Sequence, residues 1–276
     1  QLKRKLEDPG RRRLEPASYI PEGEWREDAE ARRRGESLIS EGKAAFVTVA
    51  GGQGSRLGFD GPKGCFPISP IRKATLFQIL AEKILAARRR YGCPLYWYIM
   101  TSPLNLEETR GFFESHDTFG LHEEEVLFFA QGLFPSLTEQ GRLLLAEDGS
   151  LFQNPNGHGG TIAALKDSGC LDHMRSRGVE QLFFTQVDNP LVRIPDPDFL
   201  GVHAAEGSQM SSKVIEKLYP EEKIGVIGFA DGKPAVIEYS DISEEQQHAR
   251  DEEGKLLFSH GSIAVHIFEL SYLSRH

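Results

Sequence analysis

The segment Ala44-Ala-Phe-Val-Thr-Val-Ala-Gly-Gly-Gln-Gly-Ser-Arg-Leu-Gly-Phe-Asp-Gly-Pro-Lys63-Gly64 constrains this chain more than any other. An apolar, β-branched run predicts a buried strand. It feeds a loop with glycines at 51, 52, 54 and 58. Without side chains there, successive backbone N–H groups can turn toward phosphate oxygens. Arg56 and Lys63 add full positive charge, so the loop suits a nucleoside triphosphate. A dinucleotide-binding loop counted from Gly52 and Gly54 needs a small residue where Leu57 stands. A Walker-type loop needs Ser or Thr after Gly-Lys, whereas Lys63 lies between Pro62 and Gly64.

From Ala44 onward, apolar strand patterns alternate with amphipathic helix patterns. That alternation predicts an α/β fold with a mixed, mainly parallel sheet flanked by helices. Thr75 and Gln78 have capping-box spacing before Leu76, Ile79, Leu80, Ile84 and Leu85, and Gly92 is the stop signal. Strands are expected over 95–100, 125–130, 211–216, 224–230, 235–239 and 262–268, with another buried strand running from Gln181 to end at Asp188 and Asn189, and Asn105 is expected to cap a helix running through Phe119. Turn signals at Glu139-Gln-Gly141 and Glu147-Asp-Gly149 predict small antiparallel insertions. Residues 1–42 carry Arg11-Arg12-Arg13 and Arg32-Arg33-Arg34 among acids, which reads as a solvated helical arm. The expected organisation is that arm, then a catalytic domain over 43–276.

A net charge of −9 argues against nucleic-acid binding, which needs a basic surface. Cys65, Cys93 and Cys170 are scattered without metal-type spacing, as in reduced intracellular proteins. No apolar run nears the ~20 residues needed to cross a bilayer. The expected setting is the cytoplasm, with no membrane or nucleic-acid partner; composition leaves oligomeric state open.

Asp188 and Asn189 follow an apolar run, at the strand end where open α/β sheets bind ligands. A carboxylate beside a triphosphate repels it unless a cation lies between them, which makes Asp188 a candidate magnesium ligand; a turn-capping role before Pro190 is the alternative. Asn154-Pro-Asn-Gly-His-Gly-Gly160 is a second glycine-rich turn, opening a helix, with N–H groups for a hydroxyl or base edge. Neither Ser55 nor His158 has the sequence partners of a nucleophile or base.

Gly-Gly-x-Gly-Ser-Arg-Leu-Gly followed by Pro-Lys-Gly resembles the signature loop of sugar-1-phosphate nucleotidyltransferases. With Lys73-Ala-Thr-Leu-Phe-Gln, Met100-Thr-Ser, Gln131 and Pro135, Gly157-His-Gly-Gly160, Val187-Asp-Asn189, Lys213-Val-Ile-Glu-Lys217 and Val236-Ile-Glu-Tyr-Ser240, the chain is similar to eukaryotic-type UDP-sugar pyrophosphorylases, in particular their UDP-N-acetylhexosamine branch. The resemblance implies a Rossmann-like nucleotidyltransferase fold related to glycosyltransferase-A folds. It also implies a uridylyltransferase that makes a UDP-sugar and pyrophosphate from UTP and a sugar 1-phosphate, with Mg2+. It assigns nucleotide contacts to Val49, Ala50, Gly51 and Gly52, phosphate to Lys63, uracil to Gln131 and Gly157, and nucleotide and metal to Asp188. Arg56 would meet the departing phosphates, and His158, Glu238 and Tyr239 the sugar.

The branch usually has Asp-Gly-Asn-Gly-Gly where this chain has Asn156-Gly-His-Gly-Gly160, so His158 replaces a sugar-facing asparagine. The usual Gly-Asn-Ile-x-Asn-His-Phe is here Gly261-Ser-Ile-Ala-Val-His-Ile267, two amides fewer. N-acetylglucosamine 1-phosphate is the expected acceptor, with glucose or galactose 1-phosphate as alternatives. A UTP or UDP-sugar binder without turnover, or a glycosyltransferase consuming the UDP-sugar, are the competing classes; Pro62-Lys63-Gly64 speaks against the last.

Overall fold

A computed structural model describes residues 13–275. Strands are β1 (Leu14–Pro16), β2 (Ala44–Val49), β3 (Trp97–Thr101), β4 (Val126–Ala130), β5 (Leu133–Pro135), β6 (Gln153–Pro155), β7 (Gln181–Gln186), β8 (Met210–Glu216), β9 (Val226–Ala230), β10 (Lys233–Ile237) and β11 (His260–Glu269). The chain forms two compact units. One comprises residues up to Glu24 with Ser212–Val265; the other comprises Trp25–Ser211 with His266 onward.

In the larger unit β7, β2, β3 and β4 lie side by side and parallel, and the end of β11 adds antiparallel to β7. Trp97, Tyr98, Ile99 and Met100 are fully buried, as are Phe46 and Val47 on β2. Such continuous apolar strands are what a parallel sheet covered by helices requires. The helix Leu76–Tyr91 follows its sequence signals: the Thr75 side chain accepts from the Gln78 N–H at 3.1 Å, and Gly92 closes the helix with φ +67. Only half of the capping box forms, and the Gln78 carboxamide donates to Glu82. The inserted turns form β5 and β6, an antiparallel pair, with Leu137–Leu143 and Leu145–Leu151 bridges between them.

Strand order makes β2 the switch point. The chain steps from β2 to β3 and β4 on one side, then returns to place β7 on the other. Ligand crevices open where neighbouring parallel strands send their continuations in opposite directions.

The smaller unit is antiparallel: β1 and β10 flank β9, and Gly261 of β11 pairs with Val226 of β9. Val226, Ile237, Ile242 and Phe258 form its core.

Two stretches differ from the expected local structure; the Arg11-Arg12 part of the first arginine cluster lies outside the described residues. Leu14–Pro16 is a strand on β9. The helix Ala29–Ser40 buries Ala31, Gly35 and Ile39 and packs on the helix Pro197–Ala205. Burial of that apolar stripe, with Arg32 and Arg193 both bonded to the buried Asp198 at 2.9 and 2.8 Å, holds it to the larger unit. The helix after Asn105 also stops early, at Ser115, because Asp117, Thr118 and Phe119 take left-handed φ values.

The helix crossing depends on missing side chains. A Cβ at Gly35 would lie 1.8 Å from the Pro197 carbonyl oxygen, and one at Gly201 would lie 1.7 Å from that of Ala31. Gly201→Ala is expected to cost about 1–3 kcal/mol through overpacking. Gly111→Ala, where a Cβ meets nothing within 4 Å, should instead stabilise its helix by about 0.5–1 kcal/mol. Chemical denaturation of the two variants checks the opposite signs.

Candidate functional site

Four loops leave the carboxyl ends of the parallel strands at the same end of the sheet. They carry Gly51 after β2, Ser102 after β3, Gln131 after β4 and Asp188 after β7.

The glycine loop is a closed strap. The Lys63 N–H donates to the Gly52 carbonyl at 3.0 Å, the Gly54 N–H donates to Gly61 at 2.9 Å, and Gln53 and Pro62 form a bridge. Inside the strap, the Gly54 carbonyl accepts from Leu57 and Phe59, and Gly58 at φ +67 turns the chain back. Gly64 sits against the buried Phe77 ring, where a Cβ would come within 2.1 Å. These ties fix the Lys63 backbone beside the loop's first residues. The Lys63 Nζ donates to Asp188 Oδ2 at 2.8 Å, joining the loops after β2 and β7 across the switch point. Both side chains keep solvent contact, at 20% and 46% exposure. A pair this open is worth at most about 1 kcal/mol, so either partner can be exchanged for a ligand charge.

Gln131 is held by its N–H donating to Thr101 at 2.8 Å. Its carboxamide lies over Gly51, where a Cβ would sit 2.2 Å from Nε2. Its Oε1 is buried with no hydrogen-bond partner among the described residues. Buried amide oxygens are usually satisfied, so this acceptor is an incentive for a ligand donor.

The second glycine turn returns to the same place. The Asn156 N–H donates to Gly132 at 2.9 Å. The Asn156 carboxamide fits only because Gly132 and Gly160 lack side chains: a Cβ would lie 2.9 and 2.3 Å from its Nδ2. Gly157 takes φ +73 and ψ −174, a backbone conformation essentially confined to glycine. His158 is exposed on the following short turn, which runs into the helix Thr161–Asp167. Burial pushes the His266 imidazole down to about 4, with His158 adding to the shift.

The structure thus brings together Val49 to Gly52, Lys63, Gln131 and Asp188, with the Asn156–Gly157 turn bonded to Gly132. Arg56 is exposed on the Ser55–Leu57 turn inside the strap. Glu238 and Tyr239 belong to the smaller unit, exposed just after β10.

Sequence reasoning missed one supporting bracket. Asn105 is fully buried; its Oδ1 accepts from the N–H and hydroxyl of Ser102 at 2.8 and 2.9 Å, while its Nδ2 donates to Ala50 at 3.4 Å. It stands at the helix N-cap position without making a side-chain cap bond. The available signal was Ser102-x-x-Asn105 directly after a buried strand, a spacing that lets Asn bond back onto the strand end.

Residues 4–276 match the family model described as UTP–glucose-1-phosphate uridylyltransferase. The chain is 41% identical over 258 residues to human UDP-N-acetylhexosamine pyrophosphorylase-like protein 1, covering 90% of this chain and 51% of the relative. It is 39% identical over 256 residues to UDP-N-acetylglucosamine diphosphorylase 1 of Arabidopsis thaliana, covering 88% and 51%. It therefore spans about half the length of these relatives. Among solved structures, the Trypanosoma brucei uridine diphosphate N-acetylglucosamine pyrophosphorylase in complex with inhibitor superposes with a TM-score of 0.85 at 30% identity, covering 99% of this chain and 57% of that one.

Gly51→Ala tests the fit between the strap and Gln131. The new methyl would displace a flexible side-chain end. The midpoint of thermal unfolding should fall by only a few degrees.

Proposed function

Because the chain belongs to the UTP–glucose-1-phosphate uridylyltransferase family, we propose that it catalyses uridylyl transfer from UTP to a sugar 1-phosphate, releasing pyrophosphate. The observation that carries this reading is the meeting of Lys63 with Asp188 at the carboxyl ends of β2 and β7.

A phosphate oxygen of the sugar 1-phosphate attacks the α-phosphorus of UTP. The bond from that phosphorus to the oxygen bridging it to the β-phosphate breaks, and pyrophosphate leaves with the electron pair. The attacking oxygen is already anionic, so no protein nucleophile or base is required. The protein positions the reactants and offsets charge. The amides of Gly51 to Gln53 are assigned to the phosphates, since those of Gly54, Leu57, Phe59 and Lys63 are spent inside the strap, and Lys63 exchanges Asp188 for the α-phosphate, where negative charge builds up in the transition state. Arg56 is assigned to the departing phosphates. Val49 and Ala50 lead the strap to the nucleotide. Gln131, whose carboxamide offers both a donor and an acceptor, matches the adjacent N3–H and O4 of uracil, and the Gly157 backbone completes the base edge.

Mg2+ is part of the proposal. Among the described residues, no group of three or more His, Cys, Asp or Glu side chains could cage a metal. The donor set therefore suits an ion held by the Asp188 carboxylate and substrate phosphates, the usual arrangement for Mg2+ with nucleotides. The bound ion would neutralise phosphate charge and relieve its repulsion by Asp188.

N-acetylglucosamine 1-phosphate is the acceptor favoured by the relatives' names. His158, Glu238 and Tyr239 are assigned to the sugar. Glucose or galactose 1-phosphate is a second reading, favoured by Ser262 and Val265 in place of amides: Val265 is fully buried and apolar. No helix among the described residues is long and apolar enough to cross a membrane. The cytoplasm is the proposed setting, where unpaired thiols such as Cys65, Cys93 and Cys170 stay reduced.

Incubating the protein with UTP, Mg2+ and a panel of sugar 1-phosphates should release pyrophosphate, most rapidly with N-acetylglucosamine 1-phosphate. Absence of release with every acceptor would overturn the catalytic reading, and UTP binding without release would point to a binder. Lys63→Ala should lower kcat about 100- to 1000-fold, the scale for removing a charge-stabilising donor. Its unfolding midpoint should stay within a few degrees of the parent.

A further inference from the structure

The loop that carries Asp188 is gripped from both sides, and the second grip is a lysine outside every motif considered above. Before Asp188, the Val187 N–H donates to Val49 at 3.0 Å, tying the loop to the end of β2. After Asp188, the Lys83 ammonium on the helix Leu76–Tyr91 donates to the carbonyls of Pro190 and Val192, the latter at 2.7 Å. Two carbonyls two residues apart can share one ammonium only if the loop curls around it. Inside that curl, Asn189 and Val192 donate to Gln186 and Asn189 at 3.2 and 3.4 Å.

Lys83 is partly buried, and burial lowers its pKa. No carboxylate bonds to it among the described residues. The adjacent Glu82 is engaged by Arg72 and Gln78 instead. Desolvating an ammonium that pairs only with backbone carbonyls is unfavourable, whereas an apolar residue could fill the same space without that cost. The donors are therefore what distinguishes Lys83 from a packing residue, and two of the three are spent on the loop two and four positions beyond Asp188.

We propose that Lys83 is a positioning residue: by clamping the Pro190 and Val192 carbonyls it sets where the Asp188 carboxylate stands relative to Lys63 and to the cation that accompanies the triphosphate. The inference rests on the uridylyl-transfer reading for its catalytic consequence and on the loop geometry alone for its structural one. The helix that packs against the sheet thereby controls a group that meets the nucleotide, without touching the nucleotide itself.

The test compares Lys83→Met, which keeps length and removes the donors, with Lys83→Arg, which restores donors. In Lys83→Met, the Mg2+ concentration for half-maximal rate should rise about tenfold, the scale seen when support of a metal-facing carboxylate is lost. KM for the sugar 1-phosphate should change less than about twofold, since that substrate is not held by this loop. Independently of activity, amide hydrogen exchange over 187–194 should accelerate while the rest of β7 keeps its protection. Lys83→Arg should recover most of both effects. A wild-type Mg2+ requirement and wild-type exchange in Lys83→Met would overturn the inference, as would a rate loss with unchanged Mg2+ requirement. If the parent protein releases no pyrophosphate, the proposed function fails, and hydrogen exchange alone then decides whether Lys83 holds the loop.

Discussion

The Lys63–Asp188 pair is the interaction on which the candidate site depends. It unites the loops after β2 and β7, the two strands on either side of the crevice, and it does so at the switch point of the sheet. Parallel pairing of β7, β2, β3 and β4 sends their carboxyl ends to one edge, and the closed strap between Gly52 and Lys63 then aims a single ammonium across that edge. Such a pair contributes little to stability in solvent. Under the proposed function, its value lies in holding opposite charges ready at a place where a triphosphate and its cation would exchange partners with both.

Around this pair, glycines matter as spaces. Gly51 admits the Gln131 carboxamide, Gly132 and Gly160 admit that of Asn156, and Gly64 admits the Phe77 ring. The polar ends so admitted are incompletely satisfied by the protein: Gln131 Oε1 and Asn156 Oδ1 are both buried without a hydrogen-bond partner among the described residues. Unmet hydrogen-bonding capacity beside a cationic strap fits a surface that awaits a polar, anionic ligand.

Much of this was legible in the sequence because it is local. The strand before the strap, the Thr75 and Gly92 helix signals and the Asp188 strand end all follow from patterns within a few residues. What escaped was long-range. Leu14–Pro16 becomes a strand only by pairing with β9, more than two hundred residues away, and nothing in a short charged stretch announces that partner. The helix Ala29–Ser40 hides its buried stripe of Ala31, Gly35 and Ile39 among arginines, so composition suggested solvent where packing prevails. Asn105 and Lys83 act through backbone carbonyls of distant loops, and a carbonyl leaves no mark on residue type. Leu133 to Pro155 shows the opposite case: closely spaced turn signals were enough to predict the inserted antiparallel strands.

The central claim is that Lys63 leaves Asp188 for the nucleotide and that a cation then takes its place at the carboxylate. Titration of UTP into Asp188→Asn and the parent protein, with and without Mg2+, tests it most directly. Removing the carboxylate frees Lys63 and abolishes its repulsion of phosphate, so the variant should bind UTP more tightly than the parent without Mg2+ and more weakly with it. Weaker binding by the variant in both conditions, or equal binding in both, would contradict the exchange of partners.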